Sequence, residues 1–231
     1  MARAKQIILT LMVTVLIIGT ALMGAGCTVV RISDGKILSG GKETDAYVGS
    51  DEFDAETYIE SVWEEQALPY VEENAQPYGE LMQAIAADFH TAGGQYGNTH
   101  SSNAKNYSFL MHANCKVLEY NDESRVGYLS MDVQPYDGQE DFKVYVGPVF
   151  KGDALRNALK FIKFTDFTSQ NDWAKVSKSL HAKVNDTLIS TLDLPSMQDA
   201  EIELYGAFTV VEGEEDAEQY ITPVTIKTAE G

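Results

Sequence analysis

Three polar side chains near the middle of the chain, Arg156, Asp166 and Gln170, fall within fifteen residues of one another and could converge on a polar ligand such as a sugar. They would supply a planar fork of donors, an ionised acceptor and an amide that both gives and accepts hydrogen bonds. Lys151, just upstream, would add a compact positive charge. The competing reading is an internal salt bridge and capping set that fixes a crossover between a strand and a long helix, and the residue types favour it. Gly147, Pro148 and Gly152 shape backbone in either case, and Phe167 belongs with them as a structural residue.

Other chemistry is sparse. His90 and His100 flank a polar loop, His112 lies in a strand and His181 on a helix, without the short His-x-x-His or acidic pairing of a metal site. No metal or other cofactor is implied. The acidic run Glu212 to Glu218 lacks the alternating ligands of a calcium loop and reads as a solvated hairpin tip. Tyr128, Tyr136 and Tyr145 could stack on a sugar ring from a sheet face, although strand tyrosines more often pack. No Gly-x-Ser-x-Gly elbow, phosphate loop, zinc helix or dinucleotide fingerprint occurs, so no catalytic residue is nominated.

The elements that must position these residues begin beyond an export signal. Arg3 and Lys5 precede an uncharged run from Ile7 to Leu22, followed by Gly24-Ala25-Gly26 and Cys27. Acylation of Cys27 is the favoured outcome, although Gly24 stands where a leucine is usual. An uncleaved membrane anchor and ordinary secretion are the alternatives, the anchor because the apolar run is about long enough to span a hydrocarbon core. All three export the rest of the chain. Residues 28–52 are glycine-rich and polar and read as a flexible tether with one loose hairpin, leaving 53–231 as a single globular domain with a helical part at 53–92 and strands at 105–228.

The formal charge is -18, and loss of the leader with Arg3 and Lys5 makes it about -20. Such a surface repels phosphate backbones and excludes nucleic acid as a partner. With only Cys27 and Cys115 available there is no disulfide framework; if Cys27 carries lipid, Cys115 is expected as a buried free thiol, and a Cys27–Cys115 bridge requires an unacylated Cys27.

Apolar spacing predicts two N-terminal helices, one from Asp54 that Pro69 ends or turns, the other opened by Pro77 and stopped by Gly93-Gly94. Strands follow at Tyr107 to Glu119, Val126 to Val133 and from Phe142 to Val146. A long helix covers about Asp172 to Leu192, with the stripe Trp173, Val176, Leu180, Val184, Leu188 and Leu192. Two strands close the chain, Ala200 to Val211 and Gln219 to Lys227. The order predicts an α+β fold, mainly β: a five-stranded antiparallel barrel like that of oligonucleotide/oligosaccharide-binding (OB) proteins, with a helix between strands three and four and an N-terminal helical pair.

Within this frame the run Gly147 to Val176 resembles the signature of a family of predicted periplasmic lipoproteins. The likeness rests on Gly147-Pro148-Val149, on Gly152 with Leu155-Arg156-Asn157, and on Phe164-Thr165-Asp166-Phe167-Thr168-Ser169-Gln170. Gly206-Ala207-Phe208 and Thr222-Pro223-Val224 resemble its closing strands. Asn157 replaces an acid of the pattern and Ser169 an asparagine. The resemblance implies an exported lipoprotein with an OB-like barrel, often encoded beside sugar importers of the ATP-binding-cassette type, and no established activity.

Two functions follow as expectations. One is a membrane-tethered accessory or binding module that engages an importer component or its small-molecule solute around Arg156 to Gln170. The other is a structural envelope protein making protein contacts through an apolar patch on its barrel. A hydrolase is a distant third, because no acid pair or nucleophile can be nominated.

Overall fold

The computed structural model describes residues 31–33, 36–39, 42–44, 53–100 and 102–228. The leader and Cys27 lie outside the described residues. Contacts divide the chain into Met1–Phe53 and Asp54–Gly231. In the first unit the described residues form β1 (Arg31–Ser33), β2 (Lys36–Ser39) and β3 (Lys42–Thr44), an antiparallel three-stranded sheet where the sequence suggested one hairpin.

The second unit opens with α1 (Ala55–Val62), capped by Asp54, whose carboxylate accepts from the Glu56 and Thr57 amides. Helical conformation does not stop at Pro69. It widens into a π-turn over Trp63–Ala67, with Leu68 N–H reaching back to the Trp63 carbonyl, and continues as α2 (Leu68–Asn74) with Pro69 in its first turn. The wide turn precedes the one residue that has no N–H to give. Pro77 is the last residue of β4 (Gln76–Pro77) and the N-cap of α3 (Tyr78–Ala87) rather than its first helical residue.

The next break falls at Asp88, which caps α4 (Phe89–Tyr96) by accepting from Thr91 N–H at 2.9 Å. Gly93-Gly94 therefore lies inside a helix instead of ending one. The reason is close approach: a Cβ on Gly93 would meet the Tyr107 ring at 2.3 Å.

The remaining elements are β5 (Asn106–Asn121), β6 (Tyr128–Val133), β7 (Phe142–Tyr145), α5 (Ala154–Ala158), α6 (Gln170–Thr187), β8 (Glu201–Val211) and β9 (Tyr220–Thr228). The long helix starts two residues earlier than its apolar stripe suggests, because Ser169 caps it by accepting from Asp172 N–H. It ends at Thr187, and 3-10 turns at Ile189–Thr191 and Leu194–Met197 complete the span to β8.

The sheet has six strands, in the order β4-β5-β6-β7-β9-β8, and β8 pairs again with β5. Expectation and structure differ here twice. The sixth strand is Gln76–Pro77, which pairs parallel with Met111 and His112 on the edge of β5 that β6 leaves bare. The sheet is also not wholly antiparallel, since β7 and β9 run parallel through Lys143↔Tyr220 and Val144↔Ile221. Parity requires this: pairings that return to their starting strand after five steps cannot all reverse direction, and the other four do.

Alternation sorts the strands. Phe109, Met111, Cys115 and Val117 of β5 are fully buried, as are Leu129, Met131, Val144, Leu204, Phe208 and Ile221 on neighbouring strands. Val176, Leu180 and Val184 give α6 a buried stripe at helical spacing. Each fully buried large side chain contributes about 1.5–3 kcal/mol, so packing carries the fold. Cys115 is a buried free thiol, as the composition predicts.

The Gly93 contact has a measurable sign. Alanine is favoured over glycine inside a helix by about 1 kcal/mol, whereas overpacking costs about 1–3 kcal/mol. Tyr107 cannot step aside, being buried with its ring against Phe89 at 5.3 Å. Gly93→Ala is expected to lower the melting temperature by a few degrees, and Tyr107→Ala to remove the penalty of adding it. A Gly93→Ala protein that melts at or above the parent would refute the contact.

Candidate functional site

The crossover from β7 to β8 carries most of the residues singled out in the sequence. Gly147 leaves β7 pressed on the preceding loop, where a Cβ would meet the Val126 carbonyl oxygen at 2.3 Å. Gly147 N–H bonds that oxygen and Val149 N–H bonds the Arg125 carbonyl. Pro148 is exposed, and Gly152 has a φ of +78° in the turn into α5. These are backbone roles.

Arg156 is 5% exposed and commits its donors internally. Nη1 donates to the Trp173 carbonyl at 2.9 Å, and Nε and Nη2 donate to Asn157 Oδ1 at 3.2 and 2.9 Å. Nη2 also meets Asp153 Oδ2 at 3.1 Å, while the guanidinium lies 4.1 Å over the Trp173 ring. Burial lowers the Arg156 pKa and Asp153 opposes it. The Asn157 amide oxygen thus does work that an acid would do, while Asp153 supplies the charge. Ser169 fills the helix cap, a place where serine and asparagine serve alike.

The other expected ligand residues do not join Arg156. Asp166 is exposed and closes its own 3-10 turn by accepting from Lys163 N–H. Gln170 is exposed at the start of α6, and Lys151 is exposed before α5. Phe167 packs edge-on against Tyr58 at 5.6 Å and tilted against Trp173 at 5.5 Å. Around this core, Asn98 Nδ2 donates to the Asn157 carbonyl at 2.6 Å, and His100 stands edge-on to Trp173 at 5.0 Å. Burial, then the Arg156 charge, lowers the His100 pKa. The crossover is an internal clamp joining α5, α6 and the loop after α4.

The tyrosines separate by exposure. Tyr145 is buried, stacked between Phe150 and Tyr220. Tyr128 is covered by Lys143, whose ammonium sits 4.7 Å from its ring centroid and is held by Glu140 and Glu218. Tyr136 differs. It is 36% exposed and lines a recess of about 250 Å³ with Asn114, Gln134, Glu201, Glu203 and Lys227.

The pleat builds this recess. Asn114 and Lys116 project from the outer face of β5, Glu201, Glu203 and Tyr205 from β8, and Lys227 from β9. The β6–β7 loop closes one side, docked by Gln134 N–H on the Asn114 carbonyl at 3.0 Å. Asp132, 1% exposed, holds that loop by accepting from Asp137 and Gly138 N–H. Burial, then the Glu201 charge, raises the Tyr136 pKa. A second groove of about 320 Å³ between α1 and α6 has no aromatic wall, and its Lys183 is bound to both oxygens of Glu60.

Beyond Tyr136 the recess leaves no trace in the sequence, since its members come from separate strands and only register unites them. Among the described residues, no group of three or more His, Cys, Asp or Glu could hold a metal ion, and no helix is long and apolar enough to cross a membrane.

The recess lies on the outer face of a closed cycle of paired strands. Residues 17–227 match the model of the DUF2291 family, described as predicted periplasmic lipoproteins, and the chain belongs to that family. Its location is therefore the cell envelope. Among solved structures it is similar to an OB-fold protein from Thermotoga maritima, with a TM-score of 0.64 and 15% identity over 77% of this chain and 99% of that one. No curated protein matches the chain.

Two outcomes follow from this geometry. Arg156→Lys keeps the charge but loses the planar fork and the stacking, so it should destabilise the protein by about 2 kcal/mol in urea unfolding. An unchanged midpoint would mean the clamp bears no load. Burial raises the Cys115 thiol to about 12, helped by Asp141 and Asp132. In a Cys27→Ala background at pH 8, disulfide reagents should therefore leave the native thiol unmodified and react once urea unfolds the chain. Rapid modification of the folded protein would contradict the burial.

Proposed function

We propose that this protein is a membrane-tethered binding module that works beside a sugar importer, its body an OB-type barrel held at the envelope by lipid on Cys27. On this reading the pairings β5-β6-β7-β9-β8 form the five-stranded barrel, and Gln76–Pro77 adds a short strand outside it. The observation that carries the binding role is the recess around Tyr136. It offers an aromatic ring, the amides of Asn114 and Gln134, carboxylates and an ammonium within one small volume, the mixture that fixes a polyhydroxylated solute. Its volume suits a small solute rather than a polymer. Arg156, Asp166, Gln170 and Lys151 then serve the crossover and its outer surface, where an importer component would dock.

The structural alternative calls for a contiguous apolar patch on the barrel. The described residues expose three large apolar side chains, Tyr136, Phe164 and Val211, borne by a loop, the crossover and a strand end. That distribution favours a solute site.

Titration with a panel of neutral and charged monosaccharides should raise the melting temperature for at least one, and Tyr136→Ala should abolish the rise. In cells, crosslinking should recover an importer component with the wild-type protein, and Cys27→Ala should move it from the membrane fraction to the soluble fraction. No thermal response to any sugar, together with no importer component recovered, would remove the reading.

A further inference from the structure

The charges lining the recess are unevenly matched. Lys227, its one cation, is engaged twice, by Glu203 at 3.5 Å and by Glu72 at 3.7 Å, and lies 5.3 Å over the Tyr205 ring. Glu203 also accepts from the Tyr205 hydroxyl at 3.2 Å. Lys116, directly across from Glu201 in the β5–β8 register, turns its ammonium to Asp199 at 3.1 Å. Among the described residues no cation pairs with Glu201. Its close partner in the recess is the Tyr136 hydroxyl, a neutral donor that hydrogen-bonds to it and leaves its charge uncompensated.

An exposed aromatic ring beside a carboxylate without a counter-ion is the arrangement that receives an ammonium group: the ring's negative face and the carboxylate both attract it, and neither already holds one. The side chains of Asn114 and Gln134 line the same recess, where their amides can meet hydroxyl groups on the same solute. The chain's charge of -18 adds a field that draws small cations toward the surface.

We infer that the solute taken by this recess carries a protonated amine as well as hydroxyl groups, an amino sugar or a compound of that chemistry, with the amine on Glu201 and the Tyr136 ring and the hydroxyls on Asn114 and Gln134. This rests on the recess being the solute site proposed above. The neighbouring lysines are held away by Asp199, Glu203 and Glu72, so selection falls to Glu201.

The test is calorimetric titration of the full chain, purified from membranes in neutral detergent, with glucosamine, N-acetylglucosamine, glucose and propylammonium. Glucosamine should bind at least ten-fold tighter than the two neutral sugars. Glu201→Gln, at an exposed position and checked for folding by thermal melt, should bring glucosamine down to the level of glucose. Equal binding of all three sugars, or a glucosamine preference that survives Glu201→Gln, overturns the amine inference while the solute site stands. Binding of propylammonium that needs Glu201, with no sugar bound, keeps the amine inference and removes the sugar reading. No binding by any of the four removes both.

Discussion

One strand sets the geometry of the whole second unit. β5 is 16 residues long and serves three partners: β8 along Asn106 to Lys116, β6 along Cys115 to Asn121, and β4 at Met111 and His112. Its pairing passes from β8 to β6 at Cys115 and Lys116, and the register shift between Val117 and Glu119 follows directly. The inward residues fix its position. Phe109, Met111, Cys115 and Val117 are fully buried, so a slip of one residue would turn all four to solvent and bring His112, Asn114 and Lys116 into the core. The eleven residue pairs with β8 are therefore set by apolar packing. The outer face inherits that register without contributing to it, which is why Asn114 stands opposite Glu203 and Lys116 opposite Glu201.

The crossover solves a different problem. The chain leaves β7, passes two helices and returns to the far side of β5, its two ends tied by backbone hydrogen bonds from Gly147 to Val126 and from Asp199 to Val117. Arg156 holds the stretch between. Its guanidinium reaches a backbone carbonyl on α6, a side chain on its own helix and a carboxylate at the cap of α5, and its plane lies on Trp173. Lysine has neither the fork nor the flat face. This explains why the stretch most like the family pattern holds structure and not an open site. The family departures fit the same logic: Asn157 retains an acceptor oxygen for Arg156, and Ser169 retains a cap for α6.

Much of this was legible in the sequence. The inward Phe142 and Val144 and the stripe Val176, Leu180 and Val184 were legible because side-chain period reports burial directly, whereas Leu188 and Leu192 fall beyond the end of α6 and Tyr145 is buried with its neighbours. The order of elements pointed to the OB scaffold. What misled were Pro69 and Gly93-Gly94, residues whose local meaning is to stop a helix. A π-turn absorbed the first, and Tyr107, packed from a distant strand, demanded the second. The two-residue β4 is too short to leave any periodic trace. The candidate site fared worse for a physical reason. Arg156 was visible as a donor fork, but whether its donors face a ligand or the protein depends on Asp153, Asn157 and Trp173, and their approach is tertiary. The recess depends on register between strands nearly ninety residues apart, as Asn114 and Glu203 show.

Charge links the surface to the site. The 35 acidic residues outnumber the 17 lysines and arginines, and Lys116, Lys143, Lys175, Lys183 and Lys227 are each already paired with a carboxylate. The resulting field extends over roughly a Debye length, about 8 Å at physiological ionic strength. It raises the local concentration of any small cation, whatever its shape, and so confers no selectivity. Selectivity has to arise inside that distance, where a particular carboxylate lacks a partner and a ring face is open. On β5, β8 and β9 the outward lysines are drawn off by Asp199, Glu203 and Glu72, and the unmatched charge left in the recess is Glu201. The same strand register that buries Cys115 thus sets Lys116 across from Glu201, and the turn carrying Asp199 draws that lysine away.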